Sequence, residues 1–229
     1  MYVGMRHWEP RIRTAVERMA ADGVRQAVGL VMAPHYSSFS IARYRRRLAE
    51  ALGAAPGAPE VRLVERWWSE PGLQRAIAAR VTEALACHGI GAESVHVIFT
   101  AHSLPARVRE AGDPYEAEVR EHADQLAERL RLPHWSFAFQ SAGATPEPWL
   151  GPSLDEELAR IAAAGAHRTL VVPIGFVSDH MEVLYDLDIE ARQRAAELGI
   201  ELWRVESLNV SAEFIGALAD VVERAETTA

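Results

Sequence analysis

The sequence predicts an α/β fold built on parallel strands joined by crossover helices, and three observations carry that prediction. Apolar runs of strand length alternate with stretches of helical periodicity, as βαβ units require. The strand runs are nearly continuous in apolar residues, the mark of strands covered on both faces. Polar residues gather just past the ends of those runs, where open parallel sheets bind their ligands.

Taken in order, Ile12, Val16 and Met19 recur at helical spacing before the first strand run, AVGLVMAP (27–34). Ile41, Tyr44 and Leu48 give the next helix. The stretch EALGAAPGAPE (50–60), rich in Ala, Gly and Pro, reads as a surface loop too short to link two domains. VRLVERW (61–67) is the second strand, and Leu73, Ile77, Val81 and Leu85 place a helix after it. VHVIFTA (95–101), WSFAFQS (135–141), TLVVPIG (169–175) and ELWRVE (201–206) complete the strands. Ser211 caps a last helix with Phe214, Leu218 and Val221 on one face. The chain is expected to divide near residue 70, with 1–70 and the returning segment 208–229 in a first α/β domain and 71–207 in a second.

At 229 residues with 49% hydrophobic composition, the chain can bury a core in each unit. Acidic residues outnumber basic ones, 32 to 24, and the net charge of -8 argues against nucleic acid as a partner. No apolar run reaches membrane-spanning length and the first residues lack a signal-peptide pattern, so no integral membrane segment and a cytoplasmic location are expected. Cys87 is the only cysteine, which excludes an internal disulfide and an iron-sulfur cluster ligated by this chain alone. Neither GxGxxG nor GxxxxGK[ST] occurs, which disfavours a nucleotide enzyme.

The strand ends carry His35, His102, Ser141, Asp179, His180 and Glu182, all expected to face one crevice. His35 alone is best explained as a backbone cap. His102 lies between a buried strand and a proline that imposes an extended path, which points its imidazole into the crevice. In SDHMEVLYDLDIEA (178–191), Glu182, Asp186 and Glu190 are spaced by four, and like charges at that spacing repel on a helix by roughly 0.2 to 0.5 kcal/mol per pair. Two readings stand. The run is a solvated face, or it is a route by which carboxylates replace the water ligands of a divalent cation on its way to His102. Widening this turn into a π-bulge would improve the alignment of the carboxylates.

Seven segments, VGMRHWEP, APHYSSFS, TAHSLP, GDPY, FQSAGATPEPWLGP, VPIGFVSDHMEVLYDLDIEA and SLNVSAEFIGALADVV, in this order and spacing, closely resemble the ferrochelatases. The resemblance runs from Tyr2 to the final helix. It implies two Rossmann-like, chelatase-type α/β domains with parallel sheets and a cleft between them, the first domain being incomplete. It also implies a lyase that inserts ferrous iron, as a substrate, into a porphyrin without an organic cofactor.

By match to the family's motifs, His102 and Glu182 are the iron-binding and catalytic pair. Asp186 and Glu190 match outer positions associated with a second, hydrated divalent metal. Tyr44 matches a tyrosine that contacts the porphyrin in the bacterial branch, although its stripe with Ile41 and Leu48 equally suits a core aromatic. His7 matches a histidine near the cleft. The first residues match a point well inside the family's usual chain, so an opening strand, helix and basic cleft loop are expected to be absent. The single cysteine, acidic character and Tyr44 favour coproporphyrin III as the porphyrin. Protoporphyrin IX, or a non-catalytic porphyrin- or haem-binding fragment, are the alternatives.

Overall fold

The computed structural model describes residues 1–227, in which every pair of neighbouring strands in a sheet runs parallel. The described residues divide into two units: 1–67 with 219–227, and Trp68–Leu218. The parallel α/β architecture expected from the alternation of elements is the one adopted.

The smaller unit begins with α1 (Ile12–Ala21), β1 (Gln26–Leu30), α2 (Ile41–Ala54) and β2 (Glu60–Val64). β1 and β2 pair in parallel, Ala27 opposite Val61 and Gly29 opposite Leu63. Val16 and Met19 of α1 and Ala51 of α2 form the buried cluster here, with Ile12, Ala27 and Leu48 packed against it. Both strand runs stop short of their apolar residues. Beyond Leu30 the backbone turns away, and Trp67 is instead a core side chain, 1% exposed, whose indole N–H donates to the carbonyl of Val31 at 2.9 Å.

The larger unit is a four-stranded sheet in the order β4-β3-β5-β6. Its elements are α3 (Pro71–Cys87), β3 (His96–His102), α4 (Tyr115–Leu130), β4 (Trp135–Gln140), α5 (Leu154–Ala163), β5 (Arg168–Pro173) and β6 (Glu201–Arg204). Pro71 opens α3, where its missing N–H would have no helical partner in any case. Ser153 and Glu156 start α5 with a reciprocal capping box, the Glu156 carboxylate accepting from the Ser153 N–H at 2.8 Å. Val97, Ile98, Phe99, Leu170 and Val171 are all at most 1% exposed, so the central strands are covered on both faces. Each such side chain contributes about 1.5 to 3 kcal/mol by leaving water.

Between β5 and β6 runs one continuous helical rod: α6 (Met181–Tyr185), a π-helical turn (Asp186–Ala191) and α7 (Arg192–Glu197). Val183, Leu187, Ala191 and Ala195 are its buried stripe, in one cluster with Ile98, Leu158 and Val171. These four are spaced by four residues. A regular α-helix would rotate such a stripe off the sheet by about 40° at each step, and the wider π turn takes up that drift. The carboxylates Glu182, Asp186 and Glu190 share the same spacing, offset by one residue, so the turn that keeps the apolar stripe on the core also keeps them in line. α8 (Ala212–Thr227) begins in the larger unit and ends in the smaller.

Candidate active site

β3 delivers His102 to the carboxyl end of the central strand. The chain leaving β5 passes close beside it, the N–H groups of Ile174 and Gly175 both donating to the Thr100 carbonyl at 2.9 and 3.2 Å. Gly175 is required for that approach, since a Cβ there would lie 2.9 Å from Ala101 Cβ and 3.0 Å from its Cα. On the other side, the hydroxyl of Tyr115 donates to the His102 carbonyl at 2.8 Å. Burial, reinforced by Asp113, pushes that phenol well above its ordinary range, so it stays a hydrogen-bond donor.

The His102 ring is oriented by its own neighbour. Nδ1 meets the carbonyl oxygen of Ser103, which can only accept, so Nδ1 carries the proton. Nε2 then faces Glu182 Oε1 at 3.2 Å with a lone pair when the ring is neutral. A lone pair opposed to a carboxylate is satisfied only by a cation, either a proton on Nε2 or a metal ion shared by both groups. The two side chains keep 34% and 47% of their surface in solvent, so a small ion can reach them. Among the described residues, no group of three or more His, Cys, Asp or Glu is arranged to hold a metal.

The acidic residues around the start of the helical rod fall into two sets. Asp179 and Asp188 both bind Arg204, whose Nη1 is 3.0 Å from Asp179 Oδ1 and whose Nη2 is 3.0 Å from Asp188 Oδ2. The Arg204 side chain is 9% exposed. Burial raises the Asp179 carboxyl, but hydrogen bonds from Asn209 and Ser207 and the Arg204 charge outweigh it and hold the group below its usual range. Glu182 and Asp186 lie outside that arrangement, with Glu182 against His102 and Asp186 accepting a hydrogen bond from the Ser141 hydroxyl. Ser141 follows β4 directly at a φ of 60°, a left-handed conformation that is strained for a residue other than glycine. Glu190 is exposed one further step along the line.

Three further strand-end residues have surroundings of their own. Asp179 is committed to Arg204 and Asn209. His180 caps α6, its Nδ1 accepting from the Val183 N–H at 3.3 Å, and its ring packs edge-on to Phe176. His35 belongs to the smaller unit and is buried, 3% exposed.

Tyr44 and His7 also lie in the smaller unit, joined by a residue the sequence reading passed over. Arg6 sits 5.2 Å above the Tyr44 ring, and its Nε donates to His7 Nε2 at 2.7 Å. Tyr44 is half-buried and His7 exposed, so neither is a core side chain. Arg204 and Tyr115 were missed as supports because each acts through a residue brought near only by the fold. Tyr115 lies in the GDPY segment, and Ser141 was grouped with His102 past the strand ends.

Comparison with known proteins identifies the family of the chain. Residues 1–226 match the ferrochelatase family model. A protein of Deinococcus radiodurans named ferrochelatase is 44% identical over 226 residues, covering 97% of this chain and 72% of its own length. A coproporphyrin III ferrochelatase of Geobacillus thermodenitrificans is 42% identical over 224 residues, covering 97% of this chain and 71% of its own. In fold, the chain is similar to SirB from Bacillus subtilis (TM-score 0.67, 14% identity, 97% of this chain and 80% of that one). It is likewise similar to CbiX, the terminal enzyme for biosynthesis of sirohaem in denitrifying bacteria (TM-score 0.60, 21% identity, 92% of this chain and 78% of that one). No helix among the described residues is long and apolar enough to cross a membrane. By family match and by relatives that align along nearly its whole length, the chain belongs to the ferrochelatase family, the metal chelatases of haem biosynthesis.

Proposed function

We propose that this chain inserts ferrous iron into coproporphyrin III, with His102 and Glu182 as the catalytic pair. The observation that carries the reading is the facing of His102 Nε2 and Glu182 Oε1 at 3.2 Å while Nδ1 is held by the Ser103 carbonyl. Donor atoms roughly 2.1 Å from one octahedral divalent ion, in neighbouring positions, sit roughly 3 Å apart. The pair therefore suits an ion held by two adjacent positions, with the others left to water and then to the pyrrole nitrogens.

Insertion releases both pyrrole protons, and a base near neutral pH is needed to take them. Neutral His102 accepts one at Nε2, and Glu182 stabilises the resulting imidazolium and relays the second proton to solvent. Metal and proton compete for the same lone pair, so iron leaving the pair for the porphyrin frees the base as it is needed. Asp186 and Glu190 supply the approach, attracting the hydrated ion and forming the outer, hydrated metal position. Tyr44 and His7, linked through Arg6, contact the porphyrin. Support for coproporphyrin III comes from the relatives of that name, 38% to 42% identical. The cationic Arg6 beside Tyr44 also suits a porphyrin rich in carboxylates.

Anaerobic incubation with ferrous iron and either porphyrin, followed by the absorption spectrum, tests the reading. Conversion should be faster with coproporphyrin III, and His102→Ala should lower it about 100-fold or more while porphyrin still binds. Preference for protoporphyrin IX would overturn the substrate. Binding without conversion of either would overturn the activity and leave a porphyrin-binding protein.

A further inference from the structure

The segments GDPY and FQSAGATPEPWLGP both reach the backbone that carries His102. Asp113 of the first accepts from the Tyr115 N–H at 3.0 Å where α4 begins, and the Tyr115 phenol extends to the end of β3. The second runs antiparallel beside the residues that follow His102. There the Leu150 N–H donates to the Leu104 carbonyl and the Ala106 N–H to the Pro148 carbonyl, each at 2.8 Å, with Pro105 opposite Trp149.

Three hydrogen bonds converge on the step from His102 to Ser103. The His102 carbonyl accepts from the Tyr115 hydroxyl at 2.8 Å, and the Ser103 N–H donates to the Gln140 carbonyl at 2.7 Å. That carbonyl and that N–H belong to one planar peptide, so the two bonds together fix its orientation. The Ser103 hydroxyl donates to the Leu150 carbonyl at 2.8 Å and holds the next residue. Ser103 is 1% exposed and Tyr115 8%, so water competes little for these partners. What they hold in place is the Ser103 carbonyl, the acceptor that meets His102 Nδ1.

The tautomer of a histidine is set by the hydrogen bond its second nitrogen makes. In water a neutral histidine carries its proton mostly on Nε2. Released from the Ser103 carbonyl, His102 would take that form, donate Nε2–H to the Glu182 carboxylate and keep its lone pair on the nitrogen turned away from the metal. We propose that Tyr115 and Ser103 are positioning residues that keep His102 in the Nδ1–H form, so that the Nε2 lone pair faces Glu182. The inference rests on the proposed function only for its consequence in iron insertion.

The test reads the tautomer and the rate separately. Long-range proton–nitrogen NMR of the full, metal-free chain with ¹⁵N-labelled histidine, at a pH where the imidazole is neutral, distinguishes the two forms, and His102→Ala identifies the signal. The wild type should show Nδ1–H. Tyr115→Phe removes one oxygen and keeps the ring, and it should shift His102 toward Nε2–H. It should also lower the iron-insertion rate at saturation roughly 10- to 100-fold, the loss typical of a group that orients a metal-binding histidine. The KM for porphyrin should stay within about twofold. Ser103→Ala should act in the same direction on both readouts, and it carries the test should Tyr115→Phe fail to fold by circular dichroism. An Nε2–H wild type, or slow variants that retain Nδ1–H, would overturn the proposal, as would a shifted tautomer at full rate. Because the tautomer is read without turnover, a wild type that inserts no iron would count against the proposed function and leave the positioning result standing.

Discussion

Asp179 and Asp188, compared with Glu182 and Asp186, show one residue chemistry put to two uses around the same helical rod. The first two are gripped by a nearly buried guanidinium, and Arg192, 3.6 Å from Asp188, supplies the second positive charge. The second two face a histidine with a lone pair and a serine hydroxyl. Carboxylates that are matched by a fixed cation hold structure. Those left unmatched in a line keep their negative potential for a cation that arrives and departs.

Removing the fixed cation should break this difference most severely. Arg204→Met would leave Asp179 with Asn209 and Asp188 with Arg192 but without their shared cation, and because both carboxylates are partly exposed the cost should fall at or below the low end of the roughly 3 to 5 kcal/mol of a fully buried broken pair. Urea unfolding should show that loss, whereas His102→Ala, at an open site, should change stability by no more than about 1 kcal/mol.

A smaller effect distinguishes the sets by pH. The folded-state carboxyl of Asp179 titrates below its ordinary value of 3.8. A depressed acid contributes stability above its unfolded pKa and loses it as pH falls through the folded value. Asp179→Asn should therefore be less stable than wild type near neutral pH, with the gap closing as the solution is acidified below about pH 4. A gap that persisted unchanged into acid would show that the Arg204 pairing owes nothing to the Asp179 charge.

Neutralising the other set should barely disturb the fold. Asp186→Asn with Glu190→Gln relieves like-charge repulsion worth roughly 0.2 to 0.5 kcal/mol and should leave the protein equally or slightly more stable. The iron concentration for half-maximal rate should rise several-fold with little change in the rate at saturation. An unchanged iron dependence would make the line a solvated face.

Much of this division was legible in the sequence, and the remainder was hidden for a physical reason. The continuous apolar runs placed β3 and β5 within a residue or two, and the spacing of four pointed to the π turn at Asp186–Ala191. His102 and Glu182 could be singled out by their position past strand ends. Which carboxylates were neutralised could not be read, because Arg204 reaches Asp188 and Asp179 from a different strand, and linear spacing says nothing about a pairing made by the sheet. β1 and β2 ended early for a related reason. Apolar residues beyond Leu30 and Val64 were assigned to strands, yet side chains such as Trp67 are buried by packing after the ladder has ended.

The most direct test sets the two kinds of carboxylate side by side in one assay, the initial rate of iron insertion for Glu182→Gln and for Asp188→Asn. Both changes remove one negative charge from the same rod. Glu182→Gln should lower the rate about 100-fold or more, while Asp188→Asn, provided it remains folded, should stay within about twofold of wild type. Equal losses in the two variants, or full activity in Glu182→Gln, would contradict the assignment of His102 and Glu182 as the pair that handles the metal and its protons.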